Sequence, residues 1–240
     1  MSTALITGGS AGLGRALGLA LAEQRWRLVV DARSHGRLEQ AADEMRLLTD
    51  VVAIPGDVSD PEHQAALAAE VESGGGLDLL VNNASELGPS PLRPLADLTD
   101  ADLRGILATN VEAPHALVRQ LLPFLVRARG VVLSLSSDAA VEHYPGWGGY
   151  AASKAALDHL TLTLAAENPE ITAYAIDPGD MRTEMHQRAF PGEDISDRPY
   201  PETVVPELMQ LLRSRPASGR YRAADLSAGS RPVEPAGASR

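Results

Sequence analysis

The sequence contains no cysteine, which excludes a disulfide framework and a thiolate metal site and fits a reducing, cytoplasmic setting. It also lacks a long apolar run. Its hydrophobic stretches are short and interrupted by charges, so no membrane span is expected. Met1-Ser2-Thr3 leads directly into an apolar segment, without the basic, apolar and small-residue order of a secretory signal. Positive charge is scarce: 21 Lys and Arg against 32 Asp and Glu leave a formal charge of -11. That balance disfavours an extended nucleic-acid interface, because phosphate binding needs a concentrated positive surface. Arg127 with Arg129, and Arg213, Arg215, Arg220 and Arg222 together, read as solvated arginine-rich surface. Lysine is almost missing as well, with Lys154 the single one. Whatever bias replaced lysine by arginine elsewhere spared this position, which draws attention to its neighbours.

No proline- or glycine-rich linker divides the interior, and 240 residues with 44% hydrophobic content suffice for one full core. A single domain over residues 1–226 is expected. Residues 227–240 are small, polar and proline-containing, and read as a flexible C-terminal tail. Short apolar segments alternate with longer amphipathic ones. Strands are expected over 3–7, 27–31, 51–55, 77–81, 130–136 and 171–176, with helices over 13–24, 37–48, 61–72, 111–127 and 150–167. A weaker helix is expected near 202–213. Asp60 before Pro61, and Thr99 three residues ahead of Asp102, supply helix start signals. Apolar strands alternating with helices imply an α/β fold: a doubly wound, Rossmann-like parallel sheet with helices on both faces.

The first expected strand runs straight into Gly8-Gly9-Ser10-Ala11-Gly12-Leu13-Gly14 and then into an amphipathic helix. A glycine-rich bend in that place lets backbone approach a pyrophosphate while the opening N–H groups of the helix face the anion. Gly8 would permit the tight turn, Gly12 would leave room for a cofactor and Gly14 would allow close packing. Glycines at these spacings also simply close turns, but their position between strand and helix favours a dinucleotide.

The spacing is Thr-Gly-x-x-x-Gly-x-Gly, and it is followed in order by Asp57-Val58, Asn82-Asn83-Ala84-Ser85, Asn110, Ser137, Tyr150-x-x-x-Lys154, Pro178-Gly179 and Thr183. With these motifs the chain resembles the short-chain dehydrogenase/reductase family from Ala4 to about Leu226. The resemblance implies an NAD(P)(H)-dependent oxidoreductase that moves hydride between nicotinamide and a small or medium carbonyl compound or secondary alcohol. It implies cofactor contacts by Gly8, Ser10, Gly12, Leu13 and Gly14, by Asp57 and Val58 at the adenine, by Asn83 and Ala84 in the cleft, and by Pro178, Gly179 and Thr183 near the carboxamide. Where the family pattern usually has glycine this chain has Ser85, which adds a side chain near the ribose. Without the ordered set, Asp57 would read as a turn residue and Thr183 as a helix cap.

Tyr150 and Lys154 lie one helical turn apart, so both side chains address one face. A free tyrosine, with a pKa of roughly 10, is a poor base near neutrality; a neighbouring ammonium is expected to favour tyrosinate. The resemblance makes Tyr150 the acid/base and has Ser137 polarise the substrate oxygen. It also has Lys154 hold the nicotinamide ribose and Asn110 retain water near Lys154. His115, His143, His159 and His186 show no metal-ligand spacing, and no metal is expected; these four, with Asp138 and Glu142, which invite a general-acid pair, read as structural, surface or substrate-loop residues.

Cofactor choice is expected just after the second strand. Val29-Val30-Asp31-Ala32-Arg33 puts Ala32 at the family's usual acidic position and Arg33 one beyond it, where a guanidinium suits a ribose phosphate. NADP/NADPH is therefore favoured, with NAD/NADH the choice if Asp31 were the selector. Segments 86–95, 142–149 and 185–200 are expected to form the pocket mouth. Tyr144, Trp147, Met185 and Phe190 would be its apolar surfaces, and His143 and Glu86 its polar handles. The resemblance further implies a homodimer or homotetramer paired through the helices containing 110–127 and 150–167. A non-catalytic dinucleotide-binding regulator is the competing reading, and the retained Ser137, Tyr150 and Lys154 argue against it.

Overall fold

In the central strands, successive side chains alternate between two buried faces. A computed structural model describes residues 1–226; the tail expected to be flexible, 227–240, lies outside the described residues. Among the described residues, β1 (Thr3–Ile6), β2 (Arg27–Ala32), β3 (Val51–Pro55), β4 (Leu79–Asn82), β5 (Val131–Leu135), β6 (Thr172–Asp177) and β7 (Gly219–Arg222) form one sheet. Its order is β3-β2-β1-β4-β5-β6-β7, and every neighbouring pair is parallel. The helices are α1 (Gly12–Glu23), α2 (His35–Arg46), α3 (Pro61–Ser73), α4 (Asp100–Leu107), α5 (Ala113–Ala128), α6 (Gly148–Glu167), α7 (Glu184–Ala189), α8 (Val205–Ser214) and α9 (Ala223–Leu226).

Ala4 and Ile6 of β1, Leu28 and Val30 of β2, and Leu79 and Val81 of β4 face α1, α2 and α8, packing with Leu17, Leu38, Met45 and Leu208. The intervening Leu5, Val29, Leu80 and Val132 pack on the other face with Leu67 and Val71 of α3 and Leu117, Leu121 and Leu125 of α5. Burial on both faces is why the strands read as unbroken apolar runs. Truncating one such leucine to alanine typically costs about 2–5 kcal/mol.

Both start signals are realised. Asp60 accepts the Glu62 N–H at 2.9 Å with Pro61 as first helical residue. Thr99 and Asp102 cap each other's backbone at the start of α4. The sequence reading differs from the structure chiefly in four elements. The edge strand β7 and the short helices α7 and α9 carry too few inward apolar positions to declare themselves. The helix expected from 111 begins at Ala113, because residues Ala108–Glu112 form a π-helical turn that joins α4 to α5. No helix among the described residues is long and apolar enough to cross a membrane.

Strand order reverses between β1 and β4. In doubly wound sheets this switch point opens a crevice beyond the carboxyl ends of the strands.

Candidate active site

The turn after β1 is tied into the crevice from several sides. Gly8 has φ +68°, and its N–H donates to Asp31 Oδ1 at 2.8 Å. Thr7 Oγ1 accepts the N–H groups of Asn83 and Ala84, each at 3.0 Å, while Asn83 Nδ2 donates to the carbonyls of Thr7 at 2.8 Å and Gly8 at 3.1 Å. A Cβ at position 14 would lie 2.4 Å from Asn83 Nδ2 and 2.5 Å from Gly8 O, so only glycine lets α1 descend this close to the turn. Ala11 at its N-cap offers no side-chain hydrogen bond, and no acidic residue occupies the first turn. The opening N–H groups of α1, at Gly12, Leu13 and Gly14, thus have no side-chain acceptor, as an anion-binding helix start requires. Ser10 borders the same turn. This arrangement fits a dinucleotide pyrophosphate.

The adenosine side is acidic and basic by turns. Asp31, 1% exposed, is held between Gly8 and His63 Nε2, 3.0 Å away on α3; burial pushes its carboxyl up, against the His63 and Gly8 hydrogen bonds. It therefore braces the turn rather than facing a ribose. Arg33 is 65% exposed, with Nη1 3.5 Å from Glu86 Oε2. Arg188 of α7 reaches the same carboxylate at 3.2 Å. Asp57 Oδ1 accepts both N–H and O–H of Ser59, closing a turn, and the buried Val58 receives Gln64 through its carbonyl.

On the other side, Asn110 in the π turn is fully buried and spends its whole amide. Oδ1 accepts from Glu86 N–H at 2.7 Å, and Nδ2 donates to Glu86 O at 2.9 Å and Ser153 Oγ at 2.8 Å. Ser85, the residue replacing glycine, also donates to Asn110 Oδ1 at 3.3 Å. Asn110 thereby pins the segment beside Tyr150.

Ser137 follows the carboxyl end of β5, and Tyr150 and Lys154 project from α6. The Tyr150 hydroxyl faces the side chains of Ser137 and Ser85. Burial pushes its pKa well above the ordinary tyrosine value; the two serines pull it down, and the carboxylates of Asp138 and Asp177 raise it further. Lys154 is 2% exposed, donates to Leu135 O at 2.7 Å and stands 5.5 Å from the Tyr150 ring centroid. Burial lowers its pKa to about 8. The expectation that the lysine would favour tyrosinate thus meets a stronger opposing effect, since burial penalises both charges.

Ser137, Tyr150 and the Pro178-Gly179 turn line one cavity of about 500 Å³. Trp147 forms its aromatic wall, 5.7 Å from Tyr150 edge-on and 6.0 Å from Phe190. Met185 and Tyr144 line it as expected. His143 is exposed outside it, and Glu86 is engaged with arginines, so neither expected handle faces the cavity. The polar group at the cavity is Asp138, which the sequence reading assigned to a structural, surface or substrate-loop role. Its carboxylate accepts from Ser137 Oγ at 2.9 Å and from Tyr144 Oη at 2.9 Å. Thr183 caps α7, accepting His186 N–H at 3.1 Å, and its Cγ2 would lie 3.5 Å from a Cβ at Gly12, across the crevice from α1.

Comparison with known proteins places this geometry. The family model described as short chain dehydrogenase matches residues 2–194. The chain is 31% identical to versicolorin reductase 1 of Aspergillus parasiticus over 187 residues, 76% of this chain and 70% of that protein. It is 32% identical to a 3-oxoacyl-[acyl-carrier-protein] reductase of Staphylococcus aureus over 189 residues, 76% of each. An alcohol dehydrogenase of the archaeon Thermococcus sibiricus, solved with 5-hydroxy-NADP, superposes with a TM-score of 0.83 at 27% identity, over 92% of this chain and 95% of the other. The ordered motifs, the sheet and these matches agree, and the chain belongs to the short-chain dehydrogenase family of oxidoreductases.

Proposed function

We propose that this protein reduces the carbonyl group of a small or medium, largely apolar compound, with Tyr150 as proton donor and NADPH as the preferred cofactor. The observation that carries the reading is that Ser137 and Tyr150 line the same cavity beside the switch-point crevice, close enough for the serine to act on the tyrosine's proton affinity.

Gly8, Ser10, Gly12, Leu13 and Gly14 would hold the pyrophosphate, Asp57 and Val58 the adenine, Asn83 and Ala84 the cleft side, and Pro178, Gly179 and Thr183 the nicotinamide end. The bound cofactor supplies or receives the hydride. A carbonyl oxygen placed between Ser137 Oγ and Tyr150 Oη accepts two hydrogen bonds that strengthen as negative charge develops on it. To donate one, Ser137 must turn its hydroxyl away from Asp138. Tyr150 then gives its proton to that oxygen. A phenol is protonated at neutral pH, as the donor in a reduction must be. Lys154, next to the Ser153 that Asn110 bonds, holds the positive charge that steadies the tyrosinate left behind.

NADPH preference rests on three features of the adenosine side. Ala32 offers no carboxylate to a ribose, Asp31 is turned inward, and Arg33 is exposed and held only by a long ion pair to Glu86. Exposed pairs of that kind are worth about 0–1 kcal/mol, so a phosphate can displace Glu86. The Thermococcus sibiricus relative's NADP analogue points the same way. Arg33→Ala should lower kcat/KM for NADPH by about 10- to 100-fold, the worth of a hydrogen bond to a charged group, and leave NADH nearly unchanged. Steady-state kinetics with both cofactors on a panel of cyclic and aromatic ketones measures this. Wild-type preference for NADH would overturn the role of Arg33, and turnover only of charged aliphatic acids would overturn the apolar pocket.

The assembly we propose is a homodimer or homotetramer paired through α5 and α6, where Leu160 is left exposed. Size-exclusion chromatography with light scattering should give a multiple of the 25.3 kDa chain; a stable monomer at micromolar concentration would refute it.

A further inference from the structure

Arg220 was expected on a solvated surface, and the structure places it elsewhere. Its side chain is 11% exposed, on β7 beside β6. Nε donates to Asp158 Oδ2 at 2.9 Å, and Nη2 donates to the carbonyl oxygen of Ser137 at 2.8 Å. Nη2 also lies 3.9 Å from Asp177 Oδ2. Each partner belongs to a different part of the site. Ser137 precedes the loop to α6, Asp158 lies one helical turn beyond Lys154 on α6, and Asp177 ends β6 and accepts Gly179 N–H at 2.9 Å. A single planar guanidinium thus joins the three segments that carry the proposed chemistry.

We propose that Arg220 is a positioning residue for the reaction, holding the Ser137 backbone and α6 in register while neutralising the carboxylates of Asp158 and Asp177. The inference rests on the proposed roles of Ser137, Tyr150 and Lys154. Two physical arguments carry it. An arginine is buried only where fixed acceptors match its fork, and here one of those acceptors is the main chain of the proposed active-site serine. Removing the charge would also leave two buried carboxylates facing the proton-transfer groups. The charged and titratable groups there are Asp138 from the loop before α6, Tyr150, Lys154 and Asp158 on α6, Asp177 on β6, and Arg220 with Arg222 on β7. Arg222 is 58% exposed and 3.9 Å from Asp177, so it compensates only in part. A site made more negative disfavours tyrosinate, so the pH dependence of alcohol oxidation should move to higher pH.

The test uses Arg220→Met, Arg220→Lys and the double variant Arg220→Met with Asp158→Asn. Readouts are kcat, cofactor Kd, the pH profile, and amide hydrogen exchange over residues 136–140. Arg220→Met should lower kcat by about 10- to 100-fold, the effect of a small misplacement of reacting groups. Cofactor affinity should change far less, exchange over 136–140 should quicken, and the profile should shift upward. Arg220→Lys keeps the charge without the fork, so its profile should stay near wild type while kcat remains low. The double variant, which removes the carboxylate that Arg220 bonds directly and leaves Asp177 with Gly179 N–H and Arg222, should fold even where Arg220→Met does not, and should still be slow and still exchange fast. A folded double variant with wild-type kcat and exchange would overturn the proposal, and so would full recovery in Arg220→Lys. Should wild type turn over no carbonyl, the proposed function fails, whereas unchanged exchange over 136–140 counts against the Arg220 tie alone.

Discussion

Tyr150→Phe should lower kcat for carbonyl reduction by at least about 100-fold, toward the upper range of about 10,000-fold that positioned acid/base groups contribute. The substitution keeps the ring and its edge-on contact with Trp147 at 5.7 Å but removes the hydroxyl that faces Ser137 and Ser85. Cofactor Kd should change by much less than kcat, because the glycine turn, the Asp57-Val58 segment and the Pro178-Gly179 turn are untouched. Stopped-flow hydride transfer and equilibrium cofactor titration separate the two quantities. Near-normal hydride transfer in the folded variant, on a substrate that wild type reduces, would remove Tyr150 from the chemistry and leave the family assignment standing. Folding is not the expected casualty. Burial raises the Tyr150 pKa because a charged phenolate is penalised there, and a phenyl ring cannot ionise.

What the sequence made legible was local and periodic. Six strands announced themselves as apolar runs, five of them because both of their faces are buried and the edge strand β3 by composition alone. The glycine turn was readable because strand, glycines and helix follow one another without a gap. Tyr150 and Lys154 stood out because a helical turn separates them and no other lysine competes for notice. Even the plainer readings of Asp57 as a turn residue and Thr183 as a helix cap describe hydrogen bonds that are present; a residue can satisfy its neighbours and still border a cleft.

The rest depended on partners far apart in the chain. Arg220 finds Asp158 and Ser137 at separations of 62 and 83 residues, which no window of sequence contains. Its alternating Gly-Arg-Tyr-Arg strand buries only Gly219 and Tyr221 fully, too little for an apolar signal. Asp31 sits beside the expected cofactor selector, and only the fold shows it turned inward onto Gly8 and His63. The π turn at Asn110 has the same origin. Its extra residue places the amide where it can bond the Glu86 backbone and Ser153 together, a demand made by two other segments. Asp138 was read as structural, surface or substrate-loop because its place follows from Ser137 and Tyr144 converging on one carboxylate, not from its own surroundings in sequence.

Lys154→Met should remove catalysis and at the same time change how stability depends on pH. The loss of turnover should be at least as large as in Tyr150→Phe, since the substitution removes the charge beside Tyr150 and the proposed ribose contact. Cofactor Kd should weaken with it, unlike in the phenylalanine variant. Stability should respond differently. Burial lowers the Lys154 pKa to about 8 in the folded protein, against about 10.4 for an unfolded lysine. The unfolded chain therefore holds this proton more tightly, and the folded state carries a penalty of about 3 kcal/mol at pH values below the folded pKa. That penalty fades as pH rises from about 8 and is gone above about 10.4. Methionine avoids it at every pH but forfeits the 2.7 Å hydrogen bond to Leu135 O, a charge-assisted bond worth about 1.5–3 kcal/mol. Those opposing terms leave the variant near or slightly above wild-type stability at pH 7. The decisive quantity is the slope: wild type should gain on the variant steadily between pH 8 and about 10. Urea unfolding of both proteins without cofactor, at pH 7 and pH 9.5, measures it. A stability difference that does not move with pH would mean that Lys154 keeps its ordinary pKa, and that its ammonium is not held in the dry environment on which its effect on Tyr150 depends.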